Sequence, residues 1–283
     1  MPAEPPVASP TSLGQAYALL AAAPHRPIAG GTDVMVQIAA ETTPIPERML
    51  DLWRLDELRG IRVEGDALVL GALTTYTEIR RSPLCVEHAL ALVEAAATIG
   101  AVQIQNRGTL GGNIANASPA GDTLPVLLAM DASIVAGSLR GERTVAAADF
   151  WPAYRRTPLR PDELVLRVSL PLVAGRRVRY RKVGTRRAQA ISKVVMALAW
   201  REDGGVWRDV RLALGSVAPT PIRATETERV LEGAAPRETV ADHAAAVLRG
   251  ELRPIDDVRS TAAYRKAAAA RVLHRLLREG GGW

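Results

Sequence analysis

The architecture of this chain is set by Thr109-Leu110-Gly111-Gly112-Asn113, a stretch that contains a pair of adjacent glycines. Asp122 lies nine residues after Asn113. A related stretch, Pro27-Ile28-Ala29-Gly30-Gly31-Thr32-Asp33, lies upstream. Adjacent glycines let backbone N–H groups approach an anion closely, and consecutive amides can form an anion-binding concavity. Threonine hydroxyls and the Asn113 amide add further donors. The two motifs together predict two loops that close on one diphosphate-like ligand.

The surroundings of the second motif support a binding site. Either motif alone is typical of a simple turn between strands. Residues 98–131, however, combine an apolar approach, the glycine pair, a small-residue stretch over 114–117 and a turn at Ser118-Pro119. An apolar helix is then predicted to begin near Asp122. A long glycine-punctuated segment inside a globular domain usually lines a site.

These motifs resemble the FAD-binding segment of the medium, or flavoprotein, subunit of molybdenum hydroxylases, the xanthine dehydrogenase and carbon monoxide dehydrogenase family. Gly30-Gly31-Thr32-Asp33 is similar to the first FAD loop of that family, and Thr109–Asn113 is similar to the second. Residues 180–194 resemble the start of the family's C-terminal domain, and residues 260–266 resemble the opening of its last helix. The resemblance covers nearly the whole chain in order.

The resemblance implies a set of FAD contacts. The two motifs would hold the diphosphate, and Asp122 aligns with an acidic residue that contacts the cofactor. Ile99 lies where relatives place an apolar or aromatic residue near the flavin ring, and Leu164 matches a backbone-mediated contact. Lys182 matches a lysine whose charge could stabilise the reduced ring. The implied contacts are Pro27, Ile28, Ala29, Gly30, Gly31, Thr32, Asp33, Val34, Ile99, Thr109, Leu110, Gly111, Gly112, Asn113, Asp122, Leu164 and Lys182.

Three of these residues have structural interpretations that the sequence leaves open. Asp122 precedes Leu124-Pro125 and could be a helix N-cap. Ile99 could be a core residue, and Lys182 could be an exposed strand lysine.

Composition limits the class of protein. Of the 283 residues, 48% are apolar, which excludes a disordered chain, and only 4% are aromatic. The net charge is +6, but the densest arginine cluster, residues 176–187, contains Tyr180 as its single aromatic residue, which is too few for a base-stacking platform. We therefore expect no nucleic-acid partner. The N-terminal residues 1–10 lack the apolar run of a signal peptide, and no segment is apolar enough to cross a membrane, so we expect a cytoplasmic protein without a membrane partner.

Cysteine and histidine usage limits the cofactors. Cys85 is the single cysteine, so an iron–sulfur cluster cannot be built on this chain. None of the four histidines (His25, His88, His243 and His274) lies in either glycine motif. We therefore expect non-covalent FAD and no metal ligands in this chain.

The implied function is electron exit from a larger enzyme. The sequence shows no nucleophile with its base and no paired carboxylates, so no catalytic residue is assigned. The resemblance implies hydroxylation at a molybdopterin cofactor in a large partner subunit and [2Fe-2S] clusters in a small one. FAD would then pass electrons to NAD⁺ or another acceptor, in a dimer of heterotrimers. The run from Arg186 to Lys193 is closest to xanthine dehydrogenase-type subunits.

Two alternatives remain open. UDP-N-acetylenolpyruvoylglucosamine reductases share this FAD-binding fold, and Ser192, Ser216 and Glu226 would have to supply their proton donors. Another possibility is an assembly subunit that has lost FAD, although the intact glycines of both motifs argue against it.

The order of predicted elements indicates an α+β fold. We expect a two-lobed FAD-binding domain of the PCMH, or vanillyl-alcohol-oxidase-like, type over residues 1–172, with lobes 1–56 and 57–172. Hairpin strands at 61–70, one long helix from Pro83 to Thr98 and a strand from Leu164 to Leu170 belong to it. A small α+β domain over residues 173–283 follows, with three strands and then three helices.

Overall fold

The computed structural model of the chain describes residues 5–283 and contains an N-terminal lobe built on a small parallel sheet. Its elements are β1 (Val7–Ala8), α1 (Leu13–Ala22), β2 (Arg26–Ile28), α2 (Val34–Ala39) and β3 (Met49–Asp51). The strand order is β1-β3-β2, with Ile28 opposite Asp51. Ser12 caps α1, since its side chain accepts a hydrogen bond from the amide of Gln15. The first glycine motif therefore leaves the carboxyl end of β2 and leads into α2.

The second lobe combines a five-stranded antiparallel sheet with six short helices. Its strands are β4 (Ile61–Glu64), β5 (Ala67–Gly71), β6 (Ser133–Ser138), β7 (Gly141–Ala146) and β8 (Leu164–Pro171), in the order β4-β5-β8-β6-β7. Its helices are α3 (Tyr76–Arg81), α4 (Pro83–His88), α5 (Leu90–Ala97), α6 (Val102–Arg107), α7 (Leu110–Asn116) and α8 (Leu124–Ala129). The predicted hairpin and the β8 strand are confirmed.

The single long helix predicted from Pro83 to Thr98 is wrong. The chain forms α4 and α5 instead, and they break at Ala89, which has φ of −143° and ψ of 45°. No glycine or proline marks the break. It allows Cys85 on one side and Leu92 on the other to be fully buried in the same core, so the break is a consequence of tertiary packing.

The C-terminal part is a four-stranded antiparallel sheet covered by helices. Its elements are β9 (Arg177–Val183), β10 (Val194–Asp203), β11 (Val206–Gly215), β12 (Ile222–Arg223), α9 (Thr225–Leu231), α10 (Glu238–Glu251) and α11 (Ala262–Gly281). The prediction of three strands missed β12, because two residues are too short to carry an alternating pattern. Thr261 caps α11. The α+β class is confirmed.

The β10 strand is apolar on both faces because both faces are covered. Met196 and Leu198 pack in the core formed with α10 and α11, whereas Val195 and Ala197 belong to the main core with α5 and α8. A third cluster packs the N-terminal lobe against the five-stranded sheet, with Leu50 of β3 and Val135 and Leu166 of the sheet among its members. This packing places β9 and β10 against the segment that follows the second glycine motif. Among the described residues, no helix has both the length and the apolar character needed to cross a membrane.

Candidate functional site

The two glycine motifs lie against each other in the folded chain. A Cβ added to Gly30 would lie 1.7 Å from the carbonyl oxygen of Arg107 and 3.0 Å from the amide nitrogen of Gly108. Because no side chain fits in that space, the first motif packs directly on the backbone that leads into the second. Two segments that are 79 residues apart in sequence, counted from Gly30 to Thr109, therefore share one wall.

The first motif presents unpaired backbone donors. Within residues 5–283, no acceptor receives the N–H groups of residues 30–34. Gly31 has φ of +75°, a left-handed conformation that glycine adopts readily. Five consecutive backbone donors without a protein acceptor, in a loop that lines a cleft, can form a concavity that suits an anionic oxygen ligand.

The second motif is the first turn of α7, not the loop that the sequence predicted. Thr109 is its N-cap, and Oγ1 of Thr109 accepts a hydrogen bond of 3.1 Å from the amide of Gly112. The amides of Leu110 and Gly111 donate to carbonyl oxygens within the segment 72–74. These amides are therefore already satisfied, and the expectation that both motifs offer an amide cradle is wrong for this one.

Close packing explains the glycine at position 111. A Cβ there would lie 2.7 Å from the Cβ of Ala72 and 2.8 Å from the carbonyl oxygen of the same residue. Residues 72–75 precede α3 and run beside the start of α7, where Thr75 and Thr109 form an isolated bridge. The second motif thus contributes a closely packed wall and its side chains, rather than free amides.

A cleft opens between the first motif, the start of α7 and the segment before β8. Of the seventeen predicted contacts, twelve line it: Pro27, Ala29, Gly30, Gly31, Thr32, Asp33, Val34, Thr109, Gly111, Gly112, Asn113 and Leu164. Ile28 and Leu110 do not; Leu110 is fully buried in the main core. No histidine is among the residues that line the cleft.

The remaining predicted contacts form a second cluster. Lys182 Nζ, on β9, donates to Asp122 Oδ2 at 2.5 Å and to the carbonyl oxygen of Thr98 at 3.0 Å. Both charged side chains are below one-tenth exposed. Lys182 is therefore not an exposed strand lysine. Ile99, directly after Thr98, is half-buried against the main core, and its carbonyl oxygen accepts from Gln105.

Asp122 is not a helix cap. Thr123 occupies the N-cap position of α8, and no side chain bonds to the amides there. Asp122 Oδ1 is buried and has no hydrogen-bond partner among the described residues. Burial raises the pKa of Asp122, and the Lys182 ammonium opposes this shift. An unpaired carboxylate oxygen in such a place is costly unless a ligand donates to it.

The two clusters are contiguous. Asn113 Oδ1, in the second motif, accepts a hydrogen bond of 2.6 Å from the hydroxyl of Thr123. Thr123 adjoins Asp122, and Asn113 lines the cleft. The Asp122–Lys182 pair is therefore linked to the cleft wall through Thr123 and Asn113.

Sequence reasoning missed several parts of the cleft wall, among them the segment 157–165 and Tyr76. The segment 157–165 contributes several residues, including Arg160 and Glu163. Glu163 accepts two hydrogen bonds from Arg143, at 2.8 and 2.7 Å, and another from the amide of Arg160. The segment contains Pro158 and Pro161 just before the strand predicted from Leu164, and these two prolines are a turn signal that could have pointed to it. Tyr76, on α3, also lines the cleft, and no motif pointed to it.

None of the three candidate proton donors of a self-contained reductase, Ser192, Ser216 and Glu226, lines the cleft. Ser192 Oγ and Ser216 Oγ lie 2.9 Å apart, close to the carbonyl oxygen of Ala120. Glu226 is an exposed residue of α9 that pairs with Arg229. Within residues 5–283, no group of three or more His, Cys, Asp or Glu side chains is arranged to hold a metal ion.

Two family descriptions match the chain. The first is "FAD binding domain in molybdopterin dehydrogenase", over residues 3–173, and the second is "CO dehydrogenase flavoprotein C-terminal domain", over residues 179–280. Together they extend along most of the sequence.

Individual relatives agree with these matches. The chain is 33% identical over 241 residues to the glyceraldehyde dehydrogenase medium chain of Sulfolobus acidocaldarius, covering 85% of each. It is 34% identical over 227 residues to a xanthine dehydrogenase FAD-binding subunit of Escherichia coli O157:H7, covering 79% of this chain and 77% of that one. A solved carbon monoxide dehydrogenase from Hydrogenophaga pseudoflava superposes with a TM-score of 0.93 and 32% identity, covering 97% of this chain and 96% of that one.

Proposed function

The chain belongs to the FAD-binding medium subunits of molybdenum hydroxylases, and we propose that it is the module through which electrons leave such an enzyme. When bound, FAD supplies electron and hydride transfer. We propose that electrons reach it from [2Fe-2S] clusters on a small partner subunit and pass to NAD⁺ or another acceptor. The oxidation of substrate then belongs to a large partner subunit that carries molybdopterin.

One observation carries this proposal: the five unpaired amides of residues 30–34 in the cleft. The residues present fit a dinucleotide, because donors without acceptors suit the phosphate oxygens of a diphosphate. Gly30 and Gly111 hold the walls so closely together that an added Cβ would clash at either position. We assign the predicted contacts to FAD except Ile28 and Leu110, which do not line the cleft, and the second motif acts through packing and side chains rather than amides.

We propose a separate role for the ion pair of Lys182 and Asp122. Lys182 keeps a cation in a buried position, and Asp122 and the Thr98 carbonyl oxygen fix its direction. A preorganised cation stabilises negative charge that develops nearby without reorganisation of solvent. We propose that Lys182 acts on the flavin end and that Asp122 Oδ1 accepts a hydrogen bond from the cofactor.

The assembly and the substrate are proposed from the family. We propose one large and one small partner subunit per chain, arranged as a dimer of heterotrimers, and a division of this chain at residue 172. The two family descriptions, which meet between residues 173 and 179, support that division. We favour a xanthine dehydrogenase-type substrate because of the run from Arg186 to Lys193. The relatives named above, however, act on different substrates, so the choice lies with the large subunit.

The test is purification of the assembled enzyme from its native cells, followed by acid release of flavin and a reoxidation assay. We expect one FAD per copy of this chain, released without proteolysis, together with molybdenum and iron in the partners. The reduced enzyme is then mixed with NAD⁺ under anaerobic conditions and, in a separate experiment, with oxygen. Recovery of the absorbance of oxidised flavin identifies the acceptor. A chain that arrives without flavin and cannot be reconstituted with FAD would contradict the proposal.

A further inference from the structure

Tyr76 is a nearly buried tyrosine whose hydroxyl has no hydrogen-bond partner among the described residues. The side chain is 4% exposed and lines the cleft. Six side-chain atoms among the described residues are sealed from solvent without a hydrogen bond, and Tyr76 Oη is not one of them. Since Oη also makes no hydrogen bond within residues 5–283, it must reach open space, and the open space beside this ring is the cleft.

The position of the ring is fixed by the same backbone that supports the first glycine motif. A Cβ on Gly108 would lie 2.7 Å from Tyr76 Cε2, so the ring rests directly on Gly108. The amide nitrogen of Gly108 is in turn 3.0 Å from the space that a Cβ on Gly30 would fill. Gly108 therefore lies between the Tyr76 ring and the first glycine motif, which carries the unpaired amides of residues 30–34.

The chemistry of the hydroxyl suits an anionic acceptor. Burial raises the pKa of Tyr76 far above its ordinary value, and the carboxylates of Asp33 and Asp122 raise it further. The group is therefore a neutral donor throughout the physiological range. One of these carboxylates belongs to the first motif and the other to the Asp122–Lys182 pair.

We propose that the Tyr76 hydroxyl is a further cofactor-positioning group, which donates a hydrogen bond to the diphosphate of FAD beside the amides of residues 30–34. This proposal depends on the FAD-binding function proposed above. Hydrogen bonds to charged oxygens are stronger than neutral ones. Tyr76→Phe should weaken FAD binding about tenfold, a factor that corresponds to about 1.4 kcal/mol.

The experiment uses the assembled enzyme after removal of its flavin. FAD affinity is measured by quenching of flavin fluorescence, and ADP affinity is measured by competition, for the unmodified enzyme, Tyr76→Phe and the control Tyr264→Phe. Tyr264 is 47% exposed and does not line the cleft. We expect Tyr76→Phe to weaken FAD and ADP by a similar factor, and Tyr264→Phe to change neither. Equal affinity of Tyr76→Phe and the unmodified enzyme for FAD, or a loss for FAD without a loss for ADP, would overturn the proposal.

Thermal melting of the flavin-free enzyme separates positioning from structure. A tyrosine hydroxyl that serves only the ligand leaves the melting temperature of the flavin-free protein unchanged, or raises it, when it is removed. We therefore expect Tyr76→Phe to lose only the additional stabilisation that FAD provides. A lower melting temperature without FAD would show a structural role and contradict the assignment. If the unmodified enzyme itself binds no FAD, the proposed function fails rather than this inference.

Discussion

The carbonyl oxygen of Arg107 lies 1.7 Å from the point where a Cβ on Gly30 would stand. This contact joins the first glycine motif to the backbone before α7, and it cannot relax by rotation of a side chain because both partners are backbone. Residue 30 is therefore specified by contact with another part of the chain, in addition to the approach of a ligand.

Gly30→Ala should disrupt the site. The new methyl group must push the first motif away from Arg107, which we expect to lower the free energy of unfolding by about 1–3 kcal/mol. The same displacement moves the unpaired amides, so FAD affinity should fall by more than tenfold. Chemical denaturation and flavin titration measure the two effects.

Gly14→Ala is the matched control for this change. Gly14 lies in α1, and a Cβ there would meet no atom within 4 Å. Alanine favours helix over glycine, so stability should stay equal or rise slightly. Unchanged FAD affinity in Gly30→Ala would show that the contact with Arg107 does not hold the amides in place.

Lys182→Met should be among the most damaging single changes outside the glycine motifs. It keeps most of the stem and removes the charge, so Asp122 is left buried without its cation. Removing one partner of a buried pair typically costs about 3–5 kcal/mol. Urea denaturation of the flavin-free protein measures this loss directly.

A double variant tests whether the effect belongs to the pair. Lys182→Met combined with Asp122→Asn should lose less stability than the sum of the two single changes, because each single change strands the other group. Lys266→Met serves as the control, since Lys266 forms no ion pair among residues 5–283. Additive single effects would mean that the two side chains are not coupled.

Glu163 gives the stability of the cleft wall a defined pH dependence. Its hydrogen bonds from Arg143 hold the pKa of Glu163 below its ordinary value of 4.5. A carboxyl group with a lowered native pKa stabilises the folded state above its unfolded pKa, and this stabilisation is lost as the pH falls through the native pKa. The loss should begin near pH 4.5 and continue below it.

Glu163→Gln should therefore be pH-dependent in its cost. At neutral pH we expect a loss of about 2 kcal/mol in the free energy of unfolding, and the difference from the unmodified protein should shrink as the medium is acidified below pH 4.5. Glu226→Gln, at an exposed ion pair, is the control and should cost little stability at neutral pH. A difference that stays constant from pH 7 to pH 3 would contradict the role given to Arg143.

The parts of the fold that sequence could predict depend on local signals. The Gly65-Asp66 turn defines the β4–β5 hairpin, and the Ser12 hydroxyl caps α1. Both features require only neighbouring residues. The run of apolar residues in β10 predicts a strand. Only the structure shows that each face of this strand is covered by a different core.

The parts that could not be predicted depend on contacts between distant segments. The sequence predicts free amide donors in the second motif. In the folded chain, carbonyl oxygens of residues 72–74 accept hydrogen bonds from the amides of Leu110 and Gly111. Lys182 resembles an ordinary strand lysine until β9 meets Asp122, 60 residues earlier in the sequence. Tyr76 has no sequence signal at all, since its role depends on resting against Gly108.

The contact of the C-terminal sheet with the second lobe should weaken with salt. Asp131, in the turn between α8 and β6, pairs with three arginines that precede or belong to the C-terminal sheet: Arg176, Arg211 and Arg223. Asp131 has φ of +52°, a conformation that asparagine also tolerates. Asp131→Asn therefore removes the charge without adding backbone strain.

Because the side chain of Asp131 is about one-third exposed, we expect Asp131→Asn to cost only about 1 kcal/mol at low ionic strength. In 1 M NaCl the Debye length falls to about 3 Å, and the difference in unfolding free energy should become smaller. Thermal denaturation of both proteins across a salt series measures it, and a difference independent of salt would mean that shape, not charge, is what Asp131 contributes.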